Sequence, residues 1–368
     1  MRNRAYIYDR GAATDKIVGE VMDPLLVEWG RDRDDTSVAR VQAKAARCSR
    51  LIEPANVMRY EMVVERDGER EWEGPITYMK TVNGVAEIQA KDISFYLNRT
   101  ALTRKWDNTK NSVYVIDRIR SIIEYECQRK EQMGYRIIEG LITKPSTDGA
   151  RTKKLTLPWE KYVFEEMDDM AWRNGIDYTV VRRNLLLNDT DYDLGQMRVL
   201  TQEDFDGDMS LTTYGLELAT RSIVTDGMGR AGVYEGKTGN GEHPYYGEIV
   251  LLHTEYNESA AGDDDDGGSD TPISVLKSQA QRNYTGRERP MSGIKVSENS
   301  KLVGCVADEL MPYLIPGMRT PVVLDEPSLP RLSEMMRLDS MKVSETSEGE
   351  SVSVTLSSSP GADPIIEE

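Results

Sequence analysis

The sequence predicts an α+β chain that is mostly β, and three observations carry that expectation. Tyr60 to Lys91 alternates apolar and polar residues around two hairpin turns, Asp67-Gly68 and Asn83-Gly84. Both dipeptides suit type I′ turns, which need positive φ at both central positions. Val115, Ile116, Ile119, Ile122, Ile123 and Cys127 then form one apolar stripe at helical spacing. From Met197 onward, β-rich runs return between glycine-containing turns.

The first element expected is a short strand at Tyr6 to Tyr8, followed by Ile17 to Val21 and Leu25 to Trp29. Arg31 to Asp35 reads as a charged turn, and Val38 to Arg47 fits either helix or strand. Two strands follow: Tyr60 to Arg66, and Glu69 to Gly74, whose line Pro75 breaks and Ile76 to Val82 continues. In the next strand, Val85 to Lys91, Ala86, Ile88 and Ala90 share one face and Glu87, Gln89 and Lys91 the other. Asp92 is placed to cap a turn carrying Phe95, Tyr96 and Leu97. Residues 1–100 therefore read as a β-domain.

Residues 101–190 read as an inserted α+β domain. Ser112 is expected to cap a helix to about Met133, with Gly134 ending it. Tyr135 to Ile142 is strand-like, and Lys144 to Lys154 is a polar loop. Pro158 is expected to start a second helix, buried through Tyr162, Val163, Met167, Met170 and Ala171 and stopped by Gly175. Ile176 to Val181 and Leu185 to Leu187 make a hairpin.

Residues 191–357 read as a second β-domain. Its strands are expected within Met197–Leu200, Ser210–Val224, Gly229–Glu235 and Tyr246–Tyr256. A helical and loop insertion occupies about 257–312, with a polar run at Asn257–Asp270 and a helix from Pro272 to Gln281. Ile294 to Val296 is a short strand, and Val303 to Leu310 has no decisive pattern. Pro316-Gly317 turns into a strand at Pro321 to Leu324. Met341–Ser344 and Ser351–Leu356 form a last hairpin, and 358–368 is a tail.

The 368 residues exceed one compact core. Mean hydropathy is −0.54, and no apolar run reaches the roughly 18 residues of a spanning helix. The N-terminus has no apolar signal-peptide core, so folding in a cytoplasm and no stable membrane insertion are expected. Cys48, Cys127 and Cys305 are far apart with no CxxC, which fits small buried apolar residues better than a disulfide framework or a zinc site. The net charge of −17 argues against a phosphate-gripping surface.

No reactive constellation emerges. His243 and His253 lie outside any metalloprotease spacing. Gly227 to Gly232 spells GxGxxG, but between strands, where no helix N-terminus follows to hold a phosphate; a turn is expected. Asp189, Asp191 and Asp193, then Asp204, Asp206 and Asp208, have the alternate spacing calcium favours, yet lack the glycine and glutamate of an EF-hand loop. Solvated acids are the expectation there and at Asp263–Asp266. Trp72, Phe95, Tyr96, Trp159 and Trp172 are expected in cores rather than on a carbohydrate platform. Arg31, Arg33, Arg40, Arg47 and Arg50 are expected on a solvated face or against an acidic neighbouring subunit. Catalytic, cofactor and metal residues are therefore expected to be none.

One resemblance goes further. Trp72-Glu73-Gly74-Pro75-Ile76 and Ala90-Lys91-Asp92-Ile93-Ser94 with Tyr96-Leu97 resemble the first barrel of the minor tail, or tail hub, proteins of long-tailed phages infecting actinobacteria. The resemblance continues at Trp29 to Asp35 with Ser37, at Leu314-Ile315-Pro316-Gly317 and at Arg337 to Leu356, and is thin between about Asn188 and Glu298. It favours a strand at Val38 to Arg47. It implies two tudor-like β-barrel hub domains, at 1–100 and within 191–357, and a homotrimer presenting a pseudo-sixfold ring. The partners it implies are a distal tail protein ring, a tape-measure protein, other tail-tip proteins, and DNA only in transit. The resulting expectation is a non-enzymatic virion protein that closes or gates the tail lumen. The alternatives are a tail-tip cell-wall-degrading enzyme and a receptor-binding adhesin.

Overall fold

A computed structural model describes residues 1–10, 16–48, 51, 57–132, 137–144, 151–189, 194–195, 197–207, 209–214, 218–226, 229–236, 248–254, 273–284, 291–296, 301–325 and 332–358. The architecture is α+β with strand predominating, as the patterning predicts.

The early strands are β1 (Asn3–Asp9), β2 (Lys16–Glu20), β3 (Leu26–Asp32) and β4 (Val38–Lys44). A meander follows: β5 (Tyr60–Arg66), β6 (Glu69–Val82) and β7 (Val85–Lys91). Both predicted turns take positive φ, at 52° and 87° for Asp67-Gly68 and at 50° and 78° for Asn83-Gly84. Ala86, Ile88 and Ala90 are fully buried, as their alternation requires. Asp92 caps the 3₁₀ turn Ile93–Arg99 and accepts from the Ser94 amide at 2.9 Å.

Pro75 does not interrupt the chain. β6 runs unbroken for 14 residues and changes partner there. Residues 69–75 pair with β5, and 76–82 pair with β7. A proline, which cannot donate to a ladder, sits where the strand passes from one neighbour to the other. Gly74 beside it is as constrained, because a Cβ there would lie 1.8 Å from the Lys91 carbonyl oxygen. Arg31 and Asp32 are not turn residues either. They extend β3, because a strand from the far end of the chain pairs along it.

The inserted unit has its own core. Helix α1 (Val115–Gln132) buries the predicted stripe, with Cys127 only partly covered. It begins after a strand pair, Val113–Tyr114 with Arg151–Thr152, so Ser112 is not its cap. Strand β8 (Gly140–Lys144) lies later than predicted. Helix α2 (Val163–Asn174) starts five residues after Pro158. The intervening segment turns through Trp159 at φ 68°, and Tyr162 stays 43% exposed. Gly175 ends α2 in the left-handed region, as predicted. Strands β9 (Ile176–Val181) and β10 (Asn184–Asp189) form the expected hairpin, with β8 parallel to β10. Gly134 lies outside the described residues.

The later elements are β11 (Met209–Tyr214), β12 (Arg221–Thr225), β13 (Ala231–Glu235), β14 (Val250–Thr254), helix α3 (Ile273–Tyr284), β15 (Met291–Val296), helix α4 (Gly304–Leu310), β16 (Arg319–Leu324), β17 (Leu332–Thr346) and β18 (Gly349–Ser358). Of the Met197–Leu200 strand, only Leu200 with Thr201 forms, pairing β16. The segment without a decisive pattern is α4. The final hairpin is far longer than its predicted core. Strands β12, β13 and β14 make a small sheet under α3, with Leu276 and Ala280 buried in a third cluster.

Among the described residues, thirteen strands join in one hydrogen-bonded sheet. Its main path is β11-β15-β18-β17-β3-β4-β7-β6-β5-β1-β2, with β16 on β17. The central pairing sets β3 against β17, Leu26 to Asp32 opposite Thr346 to Ser340. One apolar cluster spans both halves, from Ala5, Ile7 and Trp29 to Met341, Val343 and Leu356.

Replacing Gly74 with Ala should cost about 3 kcal/mol, because the added methyl meets backbone rather than a movable side chain. Urea unfolding of the two proteins gives the difference directly.

Candidate assembly surface

The chain is held together at three polar seams. The first follows the β3 pairing. Trp29 is fully buried, and its indole N–H donates to Asn3 Oδ1 at 2.9 Å. The Asn3 amide donates to Glu345 Oε2 at 2.7 Å, so the end of β17 also holds the start of β1. Nearby, Arg66 donates to Glu350 at 2.7 Å and pairs with Asp308. Arg31 is 3% exposed, donates to Glu71 at 2.6 Å and to the Leu314 carbonyl at 3.2 Å. Burial pulls its guanidinium below its ordinary pKa, and the Glu71 charge opposes that.

The second seam locks the insert to the sheet. Arg183, at the β9–β10 turn, is 2% exposed. Its Nη1 and Nη2 donate to Glu61 at 2.6 and 3.1 Å, and Nη1 lies 3.4 Å from Glu73. Arg10 pairs with both carboxylates, and the Tyr96 hydroxyl donates to Glu61 at 2.7 Å. Burial alone would lower the Arg183 pKa; Glu61 and Glu73 outweigh it and raise it. Burial pushes Glu73 up while Arg10, Arg183 and Arg70 pull it down. Glu61 and Glu73 are therefore saturated by cations and are not a free acid–base pair.

At the third seam, the turn after β3 meets β9 and β17. The Asp34 amide donates to the Tyr178 carbonyl and the Tyr178 amide donates to Asp34 Oδ1, each at 2.8 Å, and Arg337 pairs with Asp177 at 3.0 Å.

The arginines singled out in the sequence thus form neither one solvated face nor one free patch. Arg31 and Arg33 are struts within the seams; Arg40 pairs with Glu28 and Arg47 with Asp23. Arg50 lies outside the described residues. Asp204 closes a 3₁₀ turn, accepting from Arg198 and the Thr201 amide at 2.7 Å each. Asp189 is buried at the end of β10 and Asp206 is exposed. Asp191, Asp193, Asp208, Asp263–Asp266 and His243 lie outside the described residues. Among the described residues no three His, Cys, Asp or Glu side chains gather as a metal-holding group. Gly229 turns at φ 95° and strand β13, not a helix, follows. Cys48 is buried and Cys305 exposed; burial pushes the Cys127 thiol up to about 12.

The aromatics divide. Trp72 is core, but Trp159 and Trp172 are 70% and 73% exposed. Trp172 meets His253 edge-on at 6.0 Å, beside Leu252, itself 65% exposed. Core spacing along the sequence misplaced both tryptophans, because the insert's core closes without them. At its ends the large sheet presents β2 and β11, whose outer edges pair with no other described strand. Ile17 on β2 is 56% exposed. Such edges accept a further strand from another chain.

The fold and seams define a class: a β-scaffold whose two chain ends share one sheet, carrying an α+β unit with its own core. Solved phage tail proteins share this fold. The structure is similar to a tail protein from Neisseria meningitidis MC58, with TM-score 0.61, 13% identity and 97% of each chain covered. It is similar to the 43 kDa tail protein of prophage MuSo2 from Shewanella oneidensis, with TM-score 0.59, 11% identity, and 96% of this chain and 97% of that one covered. An E. coli type VI secretion component, described as structurally similar to bacteriophage T4 tail proteins gp27 and gp5, matches with TM-score 0.50 and 12% identity over 94% of this chain and 74% of its own. No protein-family model and no curated protein matches the sequence.

Substituting Arg183 with Ala leaves Glu61 and Glu73 buried with Arg10 as the one cation close to both, Arg70 standing 3.6 Å from Glu73. A loss of about 3–5 kcal/mol is expected, measured by chemical unfolding. Glu61→Gln, which keeps the acceptor, should cost less.

Proposed function

We propose that this chain is a structural hub protein of a phage tail tip, in the manner of the actinobacterial phage proteins its motifs resemble. The observation that carries this reading is the end-to-end likeness to a solved tail protein, 97% of each chain. In this reading residues 1–100 and 191–357 are two tudor-like barrel modules, 101–190 is inserted between them, and 257–312 and 358–368 are accessory. Three copies would then present six modules, matching a sixfold tube that three single modules would half fill. The pairing of β3 with β17, which ties the two ends of one chain into one sheet, favours such a rigid unit.

The partners are those the ring requires: a distal tail protein ring above, a tape-measure protein in the lumen, and other tip proteins below. The net charge of −17 suits a wall that DNA passes without sticking. The open edges of β2 and β11 are sites where adjoining chains add strands. The role is mechanical and non-enzymatic, in a virion assembled in the host cytoplasm: the hub closes the lumen until tape measure and DNA leave. A receptor-binding adhesin is a second reading, favoured by the exposure of Trp159 and Trp172.

Native mass spectrometry should find a species three times the 41.5 kDa chain. Electron microscopy of virion tips should place that species at the tube's end. A monomer at every concentration, absent from the tip, overturns the reading. Binding of labelled protein to host cells, lost in a Trp159→Ala, Trp172→Ala double variant, would favour the adhesin instead.

A further inference from the structure

The segments leading into α1 and α2 run antiparallel as one ribbon. Ala101 bridges to Tyr162, Trp106 and Asp107 pair with Thr156 and Leu155, and Val113 and Tyr114 pair with Thr152 and Arg151. Over 100–114 and 151–163 this ribbon carries seven Lys or Arg against two Asp or Glu, in a chain of net charge −17. Lys105, Lys154 and Lys161 pair with acids. The other four, Arg104, Lys110, Arg151 and Lys153, are exposed and form no ion pair among the described residues. Arg104 lies over the rings of Trp106 and Tyr125 at 5.0 and 5.4 Å, and Arg151 over Tyr114 at 4.5 Å. Arg151 spends Nε and Nη2 on Ser112 and keeps Nη1. A guanidinium held flat on a ring still offers its N–H edge to an outside carboxylate.

The same ribbon presents Trp159. Along 151–159 the odd positions Arg151, Lys153, Leu157 and Trp159 are exposed, while Thr156 between them is buried. Trp159 takes φ 68°, a left-handed conformation that a bulky residue adopts only where its surroundings impose it. Here the Trp159 amide donates to the Leu102 carbonyl at 2.7 Å, and the Leu102 amide to the Lys161 carbonyl at 3.1 Å. The backbone that holds the indole out is fixed before any partner arrives, which lowers the cost of binding through it. A complementary surface lies on the same chain. At the β5–β6 turn, Glu65, Glu69, Glu73 and Glu139 line an acidic hollow of about 420 Å³, with Arg70 and Arg182. Arg70 stands 4.0 Å from Glu65 and 3.6 Å from Glu73, and Arg182 pairs with Glu71. Glu69 and Glu139 are exposed and form no ion pair among the described residues.

We infer that the ribbon of one copy docks on the acidic hollow of a second copy, with Trp159 as the apolar anchor and Arg104 and Arg151 facing Glu69 and Glu139. Trp, Tyr and Arg are the residues that carry most of the energy at protein interfaces, and opposite charges around them fix the register. Ribbon and hollow are different surfaces, so the contact is heterologous and repeats from copy to copy until a ring closes. The contact rests on the self-association that the hub reading requires, and it names where the copies touch. A nucleic acid or other polyanion fits the ribbon less well. The Trp106 and Tyr114 faces on which bases would stack already carry arginines, and the acidic remainder of the chain repels such a ligand.

Sedimentation velocity of the full-length protein over a range of concentrations tests the contact. Arg104→Glu with Arg151→Glu should weaken self-association about tenfold or more, and so should Glu69→Lys with Glu139→Lys. Trp159→Ala should weaken it by a similar factor. The four charge reversals sit on exposed side chains, where substitutions rarely disturb folding. The variant carrying all four restores opposite charges across the contact and should recover assembly, which a misfolded chain does not. If the wild type assembles and the Arg104→Glu, Arg151→Glu variant assembles equally well, the inference falls while the hub reading stands. If the fourfold variant stays dissociated, the docking of ribbon on hollow falls. Inorganic polyphosphate bound by the wild type and lost in the Arg104→Glu, Arg151→Glu variant, with self-association unchanged, overturns the inference in favour of a polyanion. A wild type that stays monomeric at every concentration overturns the hub reading and this contact together.

Discussion

The pairing of β3 with β17 is the constraint on which the rest depends. It joins residues 26–32 to residues 340–346, across most of the chain, and it closes the apolar cluster shared by the two halves. Before it forms, β3 has a partner only over Leu26 to Glu28 on β4. Its last four residues, including Trp29 and Arg31, acquire a ladder only from the far end. A closure over so many residues carries an entropy cost that grows slowly with loop length, so a long excursion between the two strands is thermodynamically tolerable. The same separation makes folding slow, because the non-local contacts reward the chain only after that closure. Local hairpins such as β5–β6–β7 are then the natural early structure.

Around this closure, charge does work that apolar packing cannot do alone. Arg183, Glu61, Glu73, Arg10 and Tyr96 form a satisfied network where the insert leaves and re-enters the sheet. Burying such groups is costly, and the gain from pairing them only roughly offsets that cost. What the network supplies is geometry: carboxylates on two adjacent strands accept a guanidinium in one arrangement. The insert is thereby held in a single pose against the sheet. The third seam uses the same chemistry, with Arg33 and Arg337 sharing Asp177 and Arg33 reaching Asp339.

This arrangement separates the sheet from the insert. The continuous sheet runs from β2 to β11, whose outer edges pair with no other described strand. The insert carries the large exposed aromatics, Trp159 and Trp172, on a unit with its own core, so changes there need not disturb the sheet. Neither division requires a reactive site. The buried carboxylates Glu61 and Glu73 are both paired with Arg10 and Arg183.

Local chemistry was legible in the sequence. Asp67-Gly68, Asn83-Gly84 and Gly175 take the backbone conformations their residue types favour, the α1 stripe is buried, and Asp92 caps its turn. Those features depend on neighbours a few residues away. Beyond that range, local pattern misled. Pro75 and Arg31 read as breaks, yet both lie within strands, because distant partners stabilise what local propensity disfavours. Arg31 and Arg33 read as surface although both are held in the seams, because their carboxylate partners were unknowable without the fold, while Arg47 does lie exposed. Trp159 and Trp172 read as core, yet among the described residues Trp172 meets a later element only edge-on at His253 and both stay exposed. The sequence alone determined the alternation of β and α+β regions, since hydrophobic period and turn residues are local properties. Tertiary structure alone decided that the two ends share one sheet and which charges meet at the seams, since hydrogen-bond ladders and buried ion pairs depend on residues hundreds of positions apart.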